Sequence, residues 1–296
     1  MAGALRGSIE AGGTKWICAV GTGLDDLASE TRIDTTSPSE TLGRVIDFFR
    51  NQPAIDSLGV ASFGPLELRS DRANFGSITA TPKPGWSNTD LAGTLGGALG
   101  VPVGIDTDVN GAALGEGRWG SAVGLTSFVY LTVGTGIGAG VLVDGRPLHG
   151  LVHPEIGHVA VNRHPDDGFA GLCPFHGDCF EGLASGPAIS ERWGDEPRQL
   201  APALARSAAQ MEAFYVAEGL RTIVFTLAPE RIIVGGGVSQ IDGFHQDVRS
   251  ALMKTLAGYP GLSEHESEDF VVAPGLGDRS GIAGGFVLAD LALAAS

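Results

Sequence analysis

Two cysteines and a histidine stand at equal short spacings in the run Cys173-Pro-Phe-His176-Gly-Asp-Cys179, and His158 lies upstream of it. Thiolate and imidazole groups are the ligands that tetrahedral Zn2+ prefers, and four of them close its coordination shell. These four residues are therefore predicted to hold a structural zinc ion; two buried cysteines beside surface histidines are the alternative. Three further histidines lack this spacing and are interpreted as surface residues: His149, His153 and His164.

Two glycine-rich segments each join a pair of predicted strands: Glu10-Ala-Gly-Gly-Thr-Lys15 and Val133-Gly-Thr-Gly-Ile-Gly138. Because a strand follows each of them, they fit neither the P-loop nor the Rossmann turn, which both lead into a helix. The first is equally consistent with a plain hairpin turn and with a turn that binds phosphate through backbone N–H groups; for the second, the phosphate turn is favoured. A third run, Gly235-Gly236-Gly237, is either a plain loop or a flat surface for a purine. The side chains that phosphate turns would add are Thr14, Lys15 and Thr135.

Carboxylates at predicted strand ends are the candidates for acid–base and metal chemistry. Glu10 ends the first strand, where it would hold a hydrated magnesium ion. Asp108 starts a helix directly after a strand, the place where α/β sites form, so it is the best candidate for a general base. Asp106 is its rival, and the residues alone are equally consistent with Asp108 as an N-cap. Glu155 and Glu181 flank the Cys–His run, either as acceptors for hydroxyl groups or as solvated charges.

The elements that position these residues alternate between strands and helices, which predicts an α/β protein. A strand, a glycine turn and a strand recur near residues 10 and 135, which indicates an internal duplication. We therefore expect a smaller domain over residues 1–117 and a larger one with the zinc loop over 118–296, the last helix packing back on the first domain. Strands are predicted at 6–10, 15–20, 58–61, 101–106, 127–133, 139–143 and 231–234, and helices from 37, at 107–119, 207–227, 243–257 and 279–294.

The composition excludes several classes of protein. The 296 residues carry a formal net charge of −15, which opposes binding to nucleic acid or to an anionic membrane. No apolar run of about 18 residues is present to span a membrane, and no signal peptide is expected. Three cysteines cannot all form pairs, so a cytoplasmic location is expected. The 46 glycines, about twice the usual share of roughly 7%, indicate tight turns and close approach of the backbone to a ligand.

Taken in order, these segments resemble the ROK sugar kinases, and most closely their bacterial fructokinase branch. The resemblance runs from residue 8 to the last helix, so it covers nearly the whole chain. The matching segments are Glu10–Lys15, Ser62-Phe-Gly-Pro65, Pro84-Gly-Trp86, Asp106-Thr-Asp-Val-Asn-Gly-Ala112, Val133–Gly138, His153-Pro-Glu-Ile-Gly-His158, Cys173–Cys179 and Glu181-Gly-Leu-Ala-Ser-Gly-Pro187.

The resemblance implies an actin-like ATPase fold, in which two ribonuclease-H-like α/β domains flank a cleft. It implies that Asp108 is the catalytic base and that Thr14 and Thr135 line the phosphate site. ATP and Mg2+ would be the cofactors, and Zn2+ would orient the sugar loop without activating water. His158 would then serve twice, with one ring nitrogen on zinc and the other on a sugar hydroxyl. The remaining implied contacts are Pro187, Gly235 and Gly236 to the nucleotide, and Glu155, His158 and Glu181 to the sugar.

The activity that follows is transfer of the γ-phosphate of ATP to the 6-hydroxyl of D-fructose, with a homodimer as the expected assembly. Three departures from the broad family look like the fructokinase branch: Glu10 replaces Asp, Thr107 replaces Asn and His176 replaces a cysteine. A glucokinase, mannokinase or N-acetylhexosamine kinase is the alternative. A sugar-sensing repressor of the same family ranks last, because the first strand near residue 6 leaves no room for a helix-turn-helix.

Overall fold

In the computed structural model, which describes residues 3–194 and 200–296, the chain forms an α/β protein with two compact units. The first unit comprises the chain up to Gly124, Arg146–His153 and Gly275–Ser296. The second unit comprises Leu125–Gly145 and Pro154–Pro274. The end of the chain thus belongs to the same unit as its beginning.

Ten strands within the described residues form two sheets of five. The strands are β1 (Arg6–Ala11), β2 (Lys15–Gly23), β3 (Asp26–Asp34), β4 (Ser57–Ser62), β5 (Val103–Thr107), β6 (Phe128–Val133), β7 (Ile137–Val143), β8 (Arg146–Pro147), β9 (Arg231–Gly235) and β10 (Val271–Val272).

Eight α-helices of the described chain, together with short 3₁₀ turns, connect and cover these strands. The helices are α1 (Pro38–Arg50), α2 (Ala92–Leu99), α3 (Asp108–Trp119), α4 (Phe180–Ala184), α5 (Gly186–Trp193), α6 (Pro202–Leu227), α7 (Phe244–Leu256) and α8 (Ser280–Ala295).

The first sheet has the order β3-β2-β1-β4-β5. β1, β2 and β3 pair antiparallel, whereas β1, β4 and β5 run parallel. The register places Glu10 beside Ala61 and Ala61 beside Asp106, so the carboxyl ends of three parallel strands lie at one edge. That edge is where sites form in α/β sheets. Behind it lies a core that includes Trp16, Val60 and Trp86.

Helix α8 lies very close to the first sheet and to α3, because glycines line these contacts. A Cβ atom at Gly59 would lie 1.8 Å from the backbone oxygen of Gly285, and one at Gly284 would lie 1.8 Å from that of Gly111. No larger residue fits at these positions unless a helix moves. Part of the glycine excess therefore serves helix packing, a use that the composition alone did not reveal.

The second sheet has the order β10-β9-β6-β7-β8. β6 and β7 pair antiparallel, and β6, β9 and β10 run parallel. The strand–turn–strand unit β6–β7 therefore stands in this sheet as β1–β2 stands in the first, which confirms the predicted duplication. The core of this unit joins the sheet to α4, α6 and α7 through side chains such as Phe180, Leu220, Ile232 and Val248.

The predicted strands and helices are present, with ends displaced by a few residues, and α6 begins at Pro202 instead of at Ser207. Six elements of the described chain were not predicted: β3, β8, β10, α2, α4 and α5. Two of them, β3 and α2, have sequences that carry little apolar signal. β3 is an edge strand in which Ile33 is the buried residue, and α2 contains three glycines and buries Leu95. Within the described residues, no helix is long and apolar enough to cross a membrane.

Candidate active site

The candidate base and its rival lie at the carboxyl edge of the first sheet. Asp106 is the penultimate residue of β5, and Asp108 is the first residue of α3. Between them Thr107 is the N-cap, whose hydroxyl accepts the N–H of Asn110 at 3.2 Å. This cap ends the strand and starts the helix within one residue. Asp108 is thereby held in the first helical turn, where the helix dipole favours an ionised carboxylate.

The hydrogen bonds of Asp106 separate the two aspartates. Asp106 is 3% exposed, and its Oδ1 accepts the N–H of Thr107 at 2.7 Å and Nδ2 of Asn110 at 2.7 Å. Its Oδ2 lies 3.0 Å from Nε2 of His149. Because both oxygens are engaged, Asp106 is a structural acceptor. Asp108 is partly exposed, unlike Asp106, and its Oδ1 accepts the N–H of Val109 at 2.9 Å.

Glu10 lies in a concentration of negative charge. Burial is the largest of the effects that raise the pKa of its carboxyl to about 7; Asp108 and Asp278 contribute to this rise, and Lys15 opposes it. A Cβ atom at Gly281 would lie 2.5 Å from Cδ of Glu10, so glycine at this position lets the carboxyl lie against the start of α8. A hydrated divalent cation is the kind of ligand that would neutralise this surplus of charge.

The first glycine turn is an antiparallel hairpin between β1 and β2. The N–H of Gly12 donates to the carbonyl of Lys15 at 2.9 Å, and Gly13, Thr14 and Lys15 are exposed. A Cβ atom at Gly13 would meet nothing within 4 Å, so the tip of the hairpin borders open space. The hairpin interpretation is confirmed, and it leaves Thr14 and Lys15 at the surface, where a phosphate can reach them.

The second glycine turn is fastened on two sides within the second unit. Oε2 of Glu181 accepts the N–H of Ile137 at 2.8 Å, and the N–H of Gly186 donates to the carbonyl of Gly134 at 2.7 Å. Gly186 opens α5, which has Ser185 as its N-cap. The turn, the start of α4 and the start of α5 therefore form one hydrogen-bonded assembly. Two residues predicted to contact a nucleotide lie on adjoining segments of it: Thr135 and Pro187.

The glycine run after β9 lies against the same turn. Gly236 has a φ of +91°, and a Cβ atom there would lie 2.3 Å from the carbonyl oxygen of Val133. A Cβ atom at Gly235 would lie 2.6 Å from the hydroxyl of Tyr130. Larger residues are excluded at both positions. Three backbone segments thus meet in one part of the second unit: the β6–β7 turn, the start of α5 and the glycine run 235–237. This arrangement suits the phosphates and base of a nucleotide.

The predicted sugar-binding residues group around the first residue of β7. Glu155 is exposed and directly precedes the 3₁₀ turn Ile156–His158. A Cβ atom at Gly157 would lie 2.1 Å from the carbonyl oxygen of Ile137, so this turn is pressed against the start of the strand. Glu181 binds the N–H of that same residue, Ile137. Three segments that are far apart in sequence are therefore neighbours here: the start of β7, the 3₁₀ turn Ile156–His158 and α4.

The structure also brings the four predicted zinc ligands together, with their ligand atoms all within 4.8 Å of one another. Nδ1 of His158 lies 3.7 Å from Sγ of Cys173 and 3.6 Å from Sγ of Cys179. Nδ1 of His176 lies 3.7 Å from Sγ of Cys173. Zn–S and Zn–N bonds of about 2.3 and 2.0 Å in a tetrahedron separate sulfur from nitrogen by about 3.5 Å. The donor set therefore fits zinc in both type and spacing.

Without a bound cation, the surroundings of Cys179 disfavour its thiolate form. Burial, with the neighbouring Cys173 and Glu181 contributing, raises the pKa of Cys179 to about 11. A metal ion would offset that effect by binding the thiolate directly. Since Nδ1 of His158 faces the two thiols, its Nε2 is left for a different partner.

The family model described as ROK matches residues 6–291. The chain belongs to the ROK family. Among its ROK relatives, a fructokinase of Zymomonas mobilis is 46% identical over 291 residues, which cover 96% of each chain. A putative fructokinase of Bacillus subtilis is 45% identical over 293 residues, 98% of this chain and 97% of the relative. A fructokinase of Pediococcus pentosaceus is 38% identical over 289 residues, 98% of this chain and 99% of the relative.

Solved structures of ROK proteins agree with this assignment. A ROK hexokinase from Thermus thermophilus is 26% identical and has a TM-score of 0.81, with coverage of 99% of this chain and 100% of the other. A ROK glucokinase from Streptomyces griseus, solved with glucose and AMPPNP, is 23% identical and has a TM-score of 0.76, with coverage of 98% and 99%. The predicted actin-like ATPase fold with two domains is confirmed.

The contacts of three residues in the first unit were not predicted from the sequence: Asp278, His149 and His153. Asp278 lies in a 3₁₀ turn before α8, far in sequence from Glu10, and no motif marked it. The prediction that His153 is a surface residue was wrong, whereas His149 is exposed, as predicted. His149 pairs with Asp106, while His153 is 9% exposed and its Nε2 accepts the N–H of Leu66. Their shared segment belongs to the first unit, which spacing along the chain could not reveal.

Proposed function

We propose that this ROK protein is an ATP-dependent fructokinase, which transfers the γ-phosphate of ATP to D-fructose and forms fructose 6-phosphate. The observation that carries the proposal is its identity of 38–46% to three fructokinases over 96–98% of this chain. The geometry of each unit agrees, since one holds a carboxylate suited to a base and the other holds converging glycine turns suited to a nucleotide.

Asp108 is the residue that would accept the proton of the sugar hydroxyl as the phosphoryl group leaves ATP. Such transfer requires a positioned carboxylate beside the acceptor hydroxyl and little other covalent chemistry from the protein. Asp108 lies in the first turn of α3, where the helix dipole favours negative charge. Asp106 is unsuited to the role because its oxygens already accept hydrogen bonds from Thr107 and Asn110 and pair with His149.

The nucleotide would be held by backbone and hydroxyl donors. Thr135 and the start of α5 at Pro187 suit the phosphates, as do the exposed Thr14 and Lys15 of the first hairpin. Bound Mg2+ would neutralise charge on the β- and γ-phosphates. Glu10, with its raised pKa beside Asp108, would hold this ion through water and become fully ionised in doing so. Gly235 and Gly236 would border the purine.

The sugar would be bound by Glu155, His158 and Glu181, whose polar groups gather at the start of β7. We further propose that His158, Cys173, His176 and Cys179 hold a structural zinc ion through Nδ1 and Sγ atoms. Zinc would fix the ring of His158 so that Nε2 meets a sugar hydroxyl. The ion would thereby support sugar binding without taking part in the transfer.

A substrate panel tests the function. The full-length protein is assayed for ADP release with Mg-ATP and fructose, glucose, mannose or an N-acetylhexosamine, and the product is identified by NMR. We expect kcat/KM for fructose to exceed that for the other sugars by at least about tenfold, as a site built for particular hydroxyl groups allows. A preference for any other sugar would refute the assignment of fructose as the substrate. If no sugar in the panel causes ADP release, the proposed sugar kinase activity is refuted. Light scattering checks the predicted homodimer.

A further inference from the structure

His149 is a residue of the first unit that the proposed reaction does not yet use. Its Nε2 lies 3.0 Å from Oδ2 and 3.2 Å from Oδ1 of Asp106. The side chain of Asp106 is 4% exposed and that of His149 is 37% exposed. A carboxylate buried to this extent needs a partner for its charge. Among the described residues, His149 is the ionisable partner that it has.

The contacts of the imidazole define its state. Nδ2 of Asn110 donates to Oδ1 of Asp106 at 2.7 Å and lies 3.3 Å from Nε2 of His149. Nε2 must carry a hydrogen, because an unprotonated Nε2 would turn a lone pair toward the carboxylate oxygens. The hydrogen bond to Asp106 raises the pKa of His149, against the effect of partial burial. No other charged group of residues 3–194 and 200–296 lies within ion-pair distance of the ring.

This pair closes a set of hydrogen bonds around the candidate base. The N–H of Thr107 donates to Asp106, and the hydroxyl of Thr107 caps the N–H of Asn110. The side chain of Asn110 in turn donates a hydrogen bond to Asp106. Asp108 lies inside this five-residue turn, so the backbone on both sides of it is anchored to the carboxylate that His149 holds.

We propose that His149 is a positioning residue for phosphoryl transfer: the N–H at its Nε2 holds Asp106 and, through Thr107 and Asn110, the turn that carries Asp108. The inference rests on the proposed role of Asp108 as the base. His149 itself touches no reacting atom. Its effect should therefore fall on kcat, since a small displacement of a catalytic group slows the reaction without weakening ground-state binding in proportion.

The ion pair is tested first by histidine NMR titration of the full chain without substrate. The chain has seven histidines, and His149→Gln identifies the signal by its loss. We expect the wild-type His149 signal to titrate above the ordinary value of about 6.5, and to fall toward that value in Asp106→Asn. An unchanged titration in a folded Asp106→Asn variant overturns the pairing. This test holds whether or not the protein phosphorylates fructose.

The positioning role is tested by kinetics with two substitutions. His149→Phe removes both the hydrogen bond and the charge, and we expect kcat to fall about tenfold with KM for fructose changed less than about twofold. His149→Gln keeps a donor and should recover part of this loss. The matched control is His164→Gln, which replaces a histidine of the second unit that lies outside this turn; it should leave kcat unchanged.

The pH dependence separates positioning from a purely structural role. The pKa of His149 is raised in the folded protein. The ion pair between His149 and Asp106 is therefore fully formed below a pH of about 6.5, and it is lost as the pH rises through the pKa of His149 in the folded protein. Wild-type kcat should therefore decline on the alkaline side, and His149→Gln should lack that decline. The proposal is overturned if both His149 variants have the same kcat as the wild type and show the same decline of kcat at alkaline pH.

Discussion

The two sheets share one strand arrangement, yet the hairpins at their centres differ in what surrounds them. The β1–β2 hairpin ends in exposed residues beside the crowded carboxylates Glu10, Asp108 and Asp278. The β6–β7 hairpin is fastened by Glu181 and by the start of α5, and the Cys–His cluster lies next to that support. The β1–β2 hairpin therefore lies beside several carboxylates, whereas the backbone of the β6–β7 hairpin is held by hydrogen bonds. Substitutions of the first unit's carboxylates should change the rate or make stability depend on pH, and those in the second unit should change stability and sugar binding.

The largest effect is expected from Asp108→Asn in the first unit. Loss of a general base should lower kcat by about a thousandfold, because such catalysis contributes factors of about 10² to 10⁴. The melting temperature should stay near that of the wild type, since Asp108 is partly exposed. Steady-state kinetics with fructose and a thermal melt give both values.

Asp106→Asn is the matched control, two residues away. It removes the charge and replaces one of the two acceptor oxygens by an NH2 donor, so it should cost about 1–3 kcal/mol of stability and lower kcat far less than Asp108→Asn does. If Asp106→Asn abolishes turnover while Asp108→Asn does not, the base has been assigned to the wrong residue.

The next largest effect is expected in the second unit, from Cys173→Ser or from a strong chelator. Loss of a structural metal should cost about 4 kcal/mol, which for a chain of this size lowers the melting temperature by roughly 10 °C. The KM for fructose should rise because His158 loses its anchor. Zinc content and thermal melts provide the measurement.

Cys18→Ser is the control, since Cys18 is buried in the first unit, away from the cluster. Its melting temperature should remain sensitive to the chelator, as in the wild type. A purified wild-type protein that contains no zinc and melts at the same temperature with and without chelator would contradict the zinc site.

The smallest effect is expected from Glu10→Gln and depends on pH. The folded pKa of Glu10 is about 7, above its ordinary 4.5, so its contribution to stability is complete below 4.5 and is lost as pH rises through 7. The melting temperature of Glu10→Gln relative to the wild type should therefore increase by a few degrees between pH 5 and pH 8. Mg2+ should reduce the difference at pH 8.

The exposed Glu264 of the second unit provides a control of the same chemistry. Glu264→Gln should show the same difference from the wild type at both values of pH. If the melting temperature of Glu10→Gln differs from that of the wild type by the same amount at pH 5 and pH 8, then the pKa of Glu10 is not raised by burial and neighbouring carboxylates.

The sequence by itself determined the fold class, the family and the spacing of the cysteines and histidines. These features depend on local patterns: apolar periodicity, glycine between two strands, and ligands a few residues apart. It also indicated that Asp106 and Asp108 compete for one role, because both lie near the end of the same predicted strand.

Only the tertiary structure shows how the contacts of the two aspartates differ. His149, which pairs with Asp106, and Asp278, which lies near Glu10, come from distant segments, and no local pattern marks such contacts. The same holds for Gly284, whose role depends on the backbone of Gly111 in another helix. Long-range packing sets which oxygens are occupied, which charges are crowded and where a side chain is excluded. For this reason the choice of base and the role of His149 could be argued only from the folded chain.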